Sequence, residues 1–428
     1  MKKTLVTLAL LTAAGFAFAQ TPAPALGQPG SLVEVYGVID GAVALQTNAG
    51  ITQKIVSGTP DTLTAETSYG NSFGLSQGFF NGSRFGIRGQ EDLGVGANLK
   101  AIYDLEAGVI LPTGASDQQG QLFGRQAWVG VSSDYGKLTF GRTYGLFTET
   151  IGAGDVFGTT HGNWTYANGS NYGNNAAANG FFEQESGQRF DQSIRYDGNF
   201  NGFTLGGNLV LGGVPGQIGW DNVYAVSVGY NSKDFPVSGS VGVQEENDYF
   251  NKGHLDVGGG VKYALDPTDG VYAFYFHSAY DKGFNRFDST DSEMNYKGAQ
   301  TARTDDIASL SANYYATPQL NLIGAYYYDS AKNVSTANSP STASADGSRN
   351  GVVLAVDYYV TKDFDVYLAG AYTAFSGVLQ YNSNGGVATI GGGTTVPATP
   401  QGYTAGSGSS TNEIDSAVDL GLGVRFRF

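Results

Sequence analysis

The sequence of 428 residues has no cysteine, and only 14% of its residues are charged. Without cysteine, the chain can form neither a disulfide bond nor a thiolate metal or catalytic site. After the first twenty residues, no apolar run reaches the length of about eighteen residues that a membrane-spanning helix needs. The net charge of −15 argues against nucleic-acid binding, which depends on clustered Lys and Arg. If this chain crosses a membrane, it does so with strands.

Glycine and aromatic residues are abundant, with 64 Gly, 27 Tyr and 25 Phe. These residue types suit strands, turns and the aromatic belts of membrane proteins. Apolar and polar residues alternate along most of the chain, and no linker divides it into two cores. The pattern predicts a single all-β domain, with a soluble sandwich or propeller as the alternative to a membrane barrel.

The clearest alternation runs from Val418 to Phe428, where every second residue is apolar. The residues between them are Asp, Gly or Arg. Because a strand sends successive side chains to opposite faces, this segment predicts one apolar face and one polar face. A transmembrane antiparallel β-barrel accounts for both faces, since lipid lies on one side of its wall and water on the other.

The first nineteen residues have the layout of a secretory signal peptide. Two lysines precede an apolar run from Leu5 to Phe18, which ends in the small-residue pattern Ala17-Phe18-Ala19. The run is too short for a membrane-spanning helix. We therefore expect a cleaved signal peptide over residues 1–19 and one outer-membrane barrel domain over residues 20–428.

Pairs of strands joined by short turns recur along the chain. One strand at each end, Leu32 to Leu45 and Val418 to Phe428, and seven hairpins between them predict 16 strands, an even number as such barrels require. The polar stretch from Gln46 to Gln77 is predicted to be an extracellular loop, and the strand after the turn at Glu91 to Gly94 is predicted to begin at Val95. The predicted hairpins are 83–91 with 95–109, 122–132 with 137–144, 192–199 with 203–211, 223–231 with 237–244, 255–264 with 271–280, 306–316 with 320–329, and 351–360 with 364–375.

Several ordered segments resemble one known family, the general diffusion porins of Gram-negative outer membranes, and its neisserial and beta-proteobacterial branch in particular. The segments are Ser83 to Gly94 (SRFGIRGQEDLG), Phe123 to Gly130 (FGRQAWVG), Asp191 to Tyr196 (DQSIRY), Tyr36-Gly37-x-x-Asp40 and the terminal Phe428. The resemblance implies a homotrimer of sixteen-stranded barrels that passes ions and small hydrophilic solutes. It also implies outer-membrane lipid and lipopolysaccharide as surroundings, and Phe428 as a signal for the barrel-assembly machinery.

The resemblance further implies that the third extracellular loop, Gly145 to Phe190, folds into the lumen and carries the acidic side of a pore constriction, with Glu149 and Asp155. Arginines on the facing wall complete such a constriction. The matching positions are Arg84, Arg125 and Arg189, and we add Arg88 because it shares a strand face with Arg84.

Arg125 lies on the same strand parity as Ala127, Val129 and Val131, which are predicted to face lipid. Either Arg125 lies at the rim above the lipid, or a bulge near Gly124 turns it inward. A lipid-facing arginine at mid-depth costs about 2 to 4 kcal/mol, which favours the inward position.

Catalytic, metal and cofactor sites are not expected. The three histidines are His161, His254 and His277, and His277 and Ser278 are neighbours on a predicted strand and so face opposite sides. The sequence has no metal-ligand spacing, nucleophile elbow or P-loop. The acidic run from Asp288 to Glu293 is predicted to be a solvated loop, with calcium binding as the alternative.

The sequence leaves two other functions open. One is a substrate-selective outer-membrane channel, whose aromatic slide could not be distinguished from interfacial belts in the sequence. The other is a plugged barrel that acts as an adhesin or structural anchor. The preference for anions or cations is open as well, because the net charge includes many loop acids.

Overall fold

The computed structural model describes residues 31–59, 62–158, 189–231, 234–282, 284, 302–335, 344–377, 389–390, 408–409 and 415–428. The predicted signal peptide, His161 and the acidic run at 288–293 lie outside these residues. Among the described residues, no helix has the length and apolar character needed to cross a membrane.

The described residues form 21 strand segments, one α-helix and one 3-10 turn. In chain order they are β1 Leu32–Thr59, β2 Thr62–Gln77, β3 Arg84–Asp92, β4 Lys100–Ile110, β5 Ala115–Ser116, the 3-10 turn Gln118–Gly120, β6 Gln126–Ser133, β7 Gly136–Tyr144, α1 Leu146–Gly152, β8 Arg189–Phe200, β9 Phe203–Val210, β10 Ile218–Asp221, β11 Val223–Tyr230, β12 Val237–Asn247, β13 Gly253–Ala264, β14 Gly270–Tyr280, β15 Thr304–Thr317, β16 Leu320–Ser335, β17 Ser344–Tyr359, β18 Phe364–Gly377, β19 Thr389–Ile390, β20 Gly408–Ser409 and β21 Ser416–Arg427.

These segments build a closed antiparallel barrel whose wall has 16 strands within the described residues, as predicted. β2 and β3 pair with successive parts of β1 and together make one wall strand. β1 also pairs with β21, from Val38 opposite Arg427 to Gln46 opposite Asp419, and this pairing closes the wall. The short segments β5, β10, β19 and β20 add no strand to it.

The two faces of the wall differ as the alternation predicts. On β21, Leu422, Val424 and Phe426 are exposed on the outer face, whereas Gly423 and Arg425 are buried on the inner face. Exposed tyrosines and phenylalanines occur on the outer face toward both ends of the strands, for example Tyr326 and Tyr372 toward one end and Phe203 and Tyr358 toward the other. An apolar outer face with aromatic residues at both ends is typical of a barrel in a membrane.

In the segment that connects β2 to β3, side chains take the place of strand pairing with β1. Asp40 Oδ2 accepts hydrogen bonds from the backbone N–H groups of Phe80 and Asn81, at 3.2 and 2.7 Å. The phenol of Tyr367 accepts one from Phe79 N–H at 2.9 Å and donates one to Asp40 Oδ1 at 2.7 Å. The chain can therefore leave the wall here without burying unsatisfied backbone groups, which would be costly at membrane depth.

Two glycines of β21 make room for aromatic rings beside this break. A Cβ on Gly421 would lie 2.2 Å from a ring carbon of Phe79, and one on Gly423 would lie 2.2 Å from a ring carbon of Tyr367. Phe79 is fully buried and Tyr367 is 1% exposed, so neither ring has space to move aside. The residues between the alternating apolar positions of β21 are therefore packing positions.

The first part of the loop after β7 packs against the inner face of the wall. Ser240 Oγ donates to the carbonyl of Thr150 at 3.1 Å, and Val156 N–H donates to Ser311 Oγ at 3.1 Å. A Cβ on Gly260 would lie 2.4 Å from Gly154 N, so the two backbones approach closely. We call residues 145–158 the docked loop.

Buried aromatic and aliphatic side chains fix the docked loop to the wall. Ile151 is fully buried, Phe147 meets Phe276 edge to face at 5.9 Å, and Phe157 lies 5.8 Å from Phe80. The lumen of this barrel thus contains an apolar cluster that joins the loop to the wall. Full burial of one such side chain contributes about 1.5 to 3 kcal/mol relative to its exposed state.

Asp155 is a buried polar residue at the end of this cluster. Tyr327 donates a hydrogen bond to Asp155 Oδ1 at 2.8 Å, and Asp155 is only 4% exposed. Loss of hydration on burial raises the pKa of the Asp155 carboxyl to about 7. Its titration therefore couples the docking of the loop to pH.

The prediction of a loop from Gln46 to Gln77 is wrong. β1 and β2 form a hairpin there, and they pair from Gly41 with Gln77 to Thr59 with Thr62. Threonine is compatible with a strand as well as with a loop, so the composition could not distinguish a strand from a loop here.

The strand predicted to start at Val95 begins instead at Lys100. Ala97 and Asn98 have φ values of 64° and 51°, which lie in the left-handed region and cannot be part of a regular strand. The turn after β3 is therefore longer than the alternation suggested.

We expect Gly421→Ala to lower the melting temperature of the barrel. The added methyl group would overlap the ring of Phe79, and overpacking of this kind costs about 1 to 3 kcal/mol. The measurement is the temperature at which the folded band converts to the unfolded band in SDS gels. Gly324→Ala is the control, because its Cβ would lie 3.6 Å from the nearest atom, an ordinary contact. Equal melting temperatures for the two variants would contradict the packing described here.

We also expect Asp155→Asn to change how stability depends on pH. The pKa is about 7 in the folded protein, against about 3.9 for an unperturbed aspartate. As pH rises from about 4 to about 7, the unfolded state releases this proton first, so the wild type loses stability relative to the variant. Melting temperatures of both proteins between pH 4 and pH 8 measure the difference. Parallel curves for the two proteins would show that Asp155 does not titrate as described.

Candidate functional site

Three of the predicted arginines converge on one carboxylate at the inner face of the wall. Arg125 Nε lies 2.8 Å from Glu106 Oε1, and Arg84 Nε lies 3.5 Å from Glu106 Oε2. The guanidinium of Arg189 lies 4.9 Å from the centre of the Tyr144 ring. Tyr144 donates a hydrogen bond to Glu106 and accepts one from Arg125, at 3.2 and 2.6 Å. We call these three arginines with Glu106 the arginine cluster.

The strands bring these residues together although they are far apart in the sequence. Arg84 begins β3 and Glu106 lies near the end of the neighbouring β4, and Arg189 begins β8 opposite Tyr144, the last residue of β7. All of them therefore lie at the same end of the wall. The three arginines are also close enough to repel one another electrostatically.

Arg125 points inward, as predicted, but no bulge at Gly124 is needed to turn it. It precedes the first residue of β6, Gln126, so the alternation of that strand does not apply to it. Its backbone N–H donates to the carbonyl of Glu106 at 3.1 Å, and its side chain is 4% exposed.

Glu149 lies next to the arginine cluster and pairs with an arginine that the sequence analysis did not single out. Arg195 Nη2 donates to Glu149 Oε2 and, at 2.7 Å, to Asp197 Oδ1. Arg195 Nη1 donates to the carbonyl of Tyr144 at 2.9 Å. Arg195 alternates with Ile194 and Tyr196 within the segment Asp191 to Tyr196, and that parity is the signal that could have identified it.

Two predicted site residues lie elsewhere. Arg88 pairs with Glu34 at 2.8 Å, and its side chain is 53% exposed. It is four residues beyond Arg84, which corresponds to about 13 Å along a strand. Among the described contacts, Asp155 is held by Tyr327 and not by an arginine.

Phe428 joins the end of the chain to β1. The N–H of Gly37 donates to the carbonyl of Phe428 at 2.9 Å, and the N–H of Phe428 donates to the carbonyl of Gly37 at 3.1 Å. Its ring stacks on Phe426 at 6.1 Å and is exposed on the outer face. A role of Phe428 as an assembly signal stays a prediction.

The sequence neighbours His277 and Ser278 have different partners in the structure. His277 Nδ1 lies 2.9 Å from Asp306 Oδ1, whereas Ser278 Oγ lies 2.8 Å from His254 Nε2. His277 and Ser278 therefore face opposite sides of the wall, as predicted.

Comparison with known proteins gives the family. The sequence profile of the Gram-negative porins matches residues 6–378. An outer membrane porin protein of Bordetella pertussis is 31% identical over 269 residues, which are 60% of this chain and 63% of that protein. Outer membrane porin protein 32 of Delftia acidovorans is 30% identical over 217 residues, 48% of each chain. The chain therefore spans about half to three fifths of the length of these relatives.

Solved structures agree on the fold. The anion-selective porin from Comamonas acidovorans superposes with a TM-score of 0.62 at 18% identity, over 93% of this chain and all of that one. OmpT of Vibrio cholerae, solved in a trimer form, superposes with a TM-score of 0.52 at 16% identity, over 94% of this chain and all of that one. At these identities the likeness concerns the fold alone. The family profile, however, covers most of the sequence, and this chain belongs to the family of Gram-negative porins.

Proposed function

We propose that the protein is a passive pore of the Gram-negative outer membrane, through which ions and small hydrophilic solutes diffuse. This proposal rests on one observation: the docked loop and the arginine cluster occupy different parts of the inner face of the wall. The docked loop contacts inward-facing residues of the strands from β9 to β16, for example Gly206 and Tyr327. The arginine cluster lies on the other part of the wall, from β3 to β8.

The passage between the docked loop and the arginine cluster is the proposed constriction. Arginine stays charged at any working pH, and Glu149 places a carboxylate of the loop beside this charged wall. Charges are screened over about 8 Å at physiological salt, so an opening of that width is polar throughout. Such an opening filters solutes by size and charge and needs no covalent step, and we infer that the protein is not an enzyme.

Within this proposal the predicted residues have different roles. Arg84, Arg125 and Arg189 set the potential of the passage, and Glu149 with Arg195 forms its edge. Asp155 holds the loop in place through Tyr327 and shapes the opening without facing it. Arg88 belongs to the wider lumen, about 13 Å away from Arg84.

The remaining features of the family complete the proposal. We infer a homotrimer, for which the trimer form of the Vibrio cholerae OmpT structure gives support. Residues 1–19 act as the export signal, lipid and lipopolysaccharide surround the outer face, and Phe428 marks the chain for the barrel-assembly machinery.

Conductance in a planar bilayer tests the proposal directly. We expect the purified, folded protein to give large openings that close in three equal steps, since each barrel of a trimer conducts independently. Saturation of the current by one solute would favour a substrate-selective channel instead. A correctly folded protein that does not conduct would overturn the proposal and favour a plugged barrel that acts as an adhesin or anchor.

Reversal potentials in a salt gradient test the arginine cluster. We expect Arg84→Gln and Arg189→Gln each to shift selectivity toward cations. A unit charge about 8 Å from a passing ion contributes about 0.5 kcal/mol at the dielectric constant of water, with opposite sign for a cation and an anion, which is about a fivefold change in their permeability ratio. Arg88→Gln is the matched control and should change this ratio less. An equal or larger effect of Arg88→Gln would place the constriction elsewhere.

A further inference from the structure

A second group of charged side chains lies on the inner face of the wall, away from the arginine cluster. Glu246 near the end of β12 is paired directly with His254 near the start of β13. Asp256 follows two residues later and therefore shares the face of His254. The short connection between β12 and β13 keeps the three residues at one end of the wall.

The potential ligand atoms of these residues are close together and shielded from solvent. His254 Nε2 lies 3.1 Å from Asp256 Oδ1, and His254 Nδ1 lies 3.9 Å from Glu246 Oε1. One donor atom of each residue can be chosen so that all lie within 4.8 Å of one another. His254 is 2% exposed, and Glu246 and Asp256 are fully buried.

One buried oxygen in this group has an ion-pair contact but no hydrogen bond among the described residues. Asp256 Oδ1 is buried and has no partner with hydrogen-bond geometry. The nearby His254 Nε2 is engaged with Ser278 Oγ at 2.8 Å. The carboxylate of Glu246 is close enough to repel that of Asp256. A cation between the two carboxylates would satisfy the oxygen and remove the repulsion.

We propose that Glu246, His254 and Asp256 bind a divalent first-row transition-metal ion such as Zn²⁺. Imidazole nitrogen suits zinc, copper, nickel and iron, whereas calcium and magnesium prefer oxygen ligands alone. With bonds of about 2.1 Å, tetrahedral ligands lie about 3.4 Å apart. The limit of 4.8 Å within which the ligand atoms lie exceeds this by about 1.4 Å, so binding requires the side chains to move closer together.

The surroundings resemble the outer shell of a metal site. Gln244 Nε2 donates to Glu246 Oε1 at 2.8 Å and lies 3.5 Å from Asp256 Oδ2, so one amide orients both carboxylates. The ring of Tyr280 stacks on His254 at 3.9 Å with an interplanar angle of 8°. Groups that fix the orientation of the ligands in this way strengthen metal binding.

Zinc binding by the folded, full-length protein in detergent tests the proposal. The protein is freed of metal with a chelator and dialysed against increasing Zn²⁺, and bound zinc is counted per chain by mass spectrometry. We expect one tightly bound Zn²⁺ per chain, with the affinity reduced more than tenfold in His254→Asn and in Asp256→Asn. Co²⁺ in place of Zn²⁺ should give an absorption spectrum typical of nitrogen and oxygen ligands.

His277→Asn is the matched control, because His277 also lies beside a carboxylate but on the opposite face. It should keep the tight site. All variants retain His161, so any zinc bound at His161 would be the same in each of them. Asp256→Asn is nearly isosteric, and the mobility of unheated protein in SDS gels verifies the folding of each variant. Unchanged binding in His254→Asn and Asp256→Asn, loss of binding in His277→Asn, or no tight binding by the folded wild type would overturn the proposal.

Discussion

The need to satisfy every backbone hydrogen bond at membrane depth governs this structure. Closure of the wall between β1 and β21 meets this need for the first and last strands. The break between β2 and β3 would violate it, and there the carboxylate of Asp40 and the phenol of Tyr367 take the place of a neighbouring strand. The two rings that fill the break fit only because Gly421 and Gly423 lie opposite them. Closure of the barrel therefore depends on these particular side chains.

The interior of the barrel has two chemically distinct parts. In one part, the docked loop and the wall bury phenylalanines and aliphatic residues against each other, with Phe147 and Phe157 on the loop. In the other part, Arg84, Arg125 and Arg189 lie around Glu106. The apolar contacts hold the loop against its own side of the wall, apart from the arginine cluster.

The alternation in the sequence predicted the wall because lipid and water impose opposite requirements on neighbouring residues of a strand. The alternation failed as a guide where neighbouring residues do not differ in this way. The hairpin from Gln46 to Gln77 is rich in polar residues and lacks a regular alternation, and the turn at Ala97 depends on a backbone conformation that residue type does not reveal. Composition likewise could not show that Asp155 faces Tyr327, because that contact joins residues 172 positions apart. The convergence of the arginines on Glu106 is similarly a product of strand pairing, whereas their presence in the lumen followed from parity and resemblance.

The docked loop belongs to the first half of the sequence, but three of its hydrogen-bonding partners do not. Thr150, Val156 and Asp155 bind Ser240, Ser311 and Tyr327, which lie on β12, β15 and β16. These hydrogen-bonding partners are in place only after the later strands have paired. The docked loop can therefore make its final hydrogen bonds only when β12, β15 and β16 are in place.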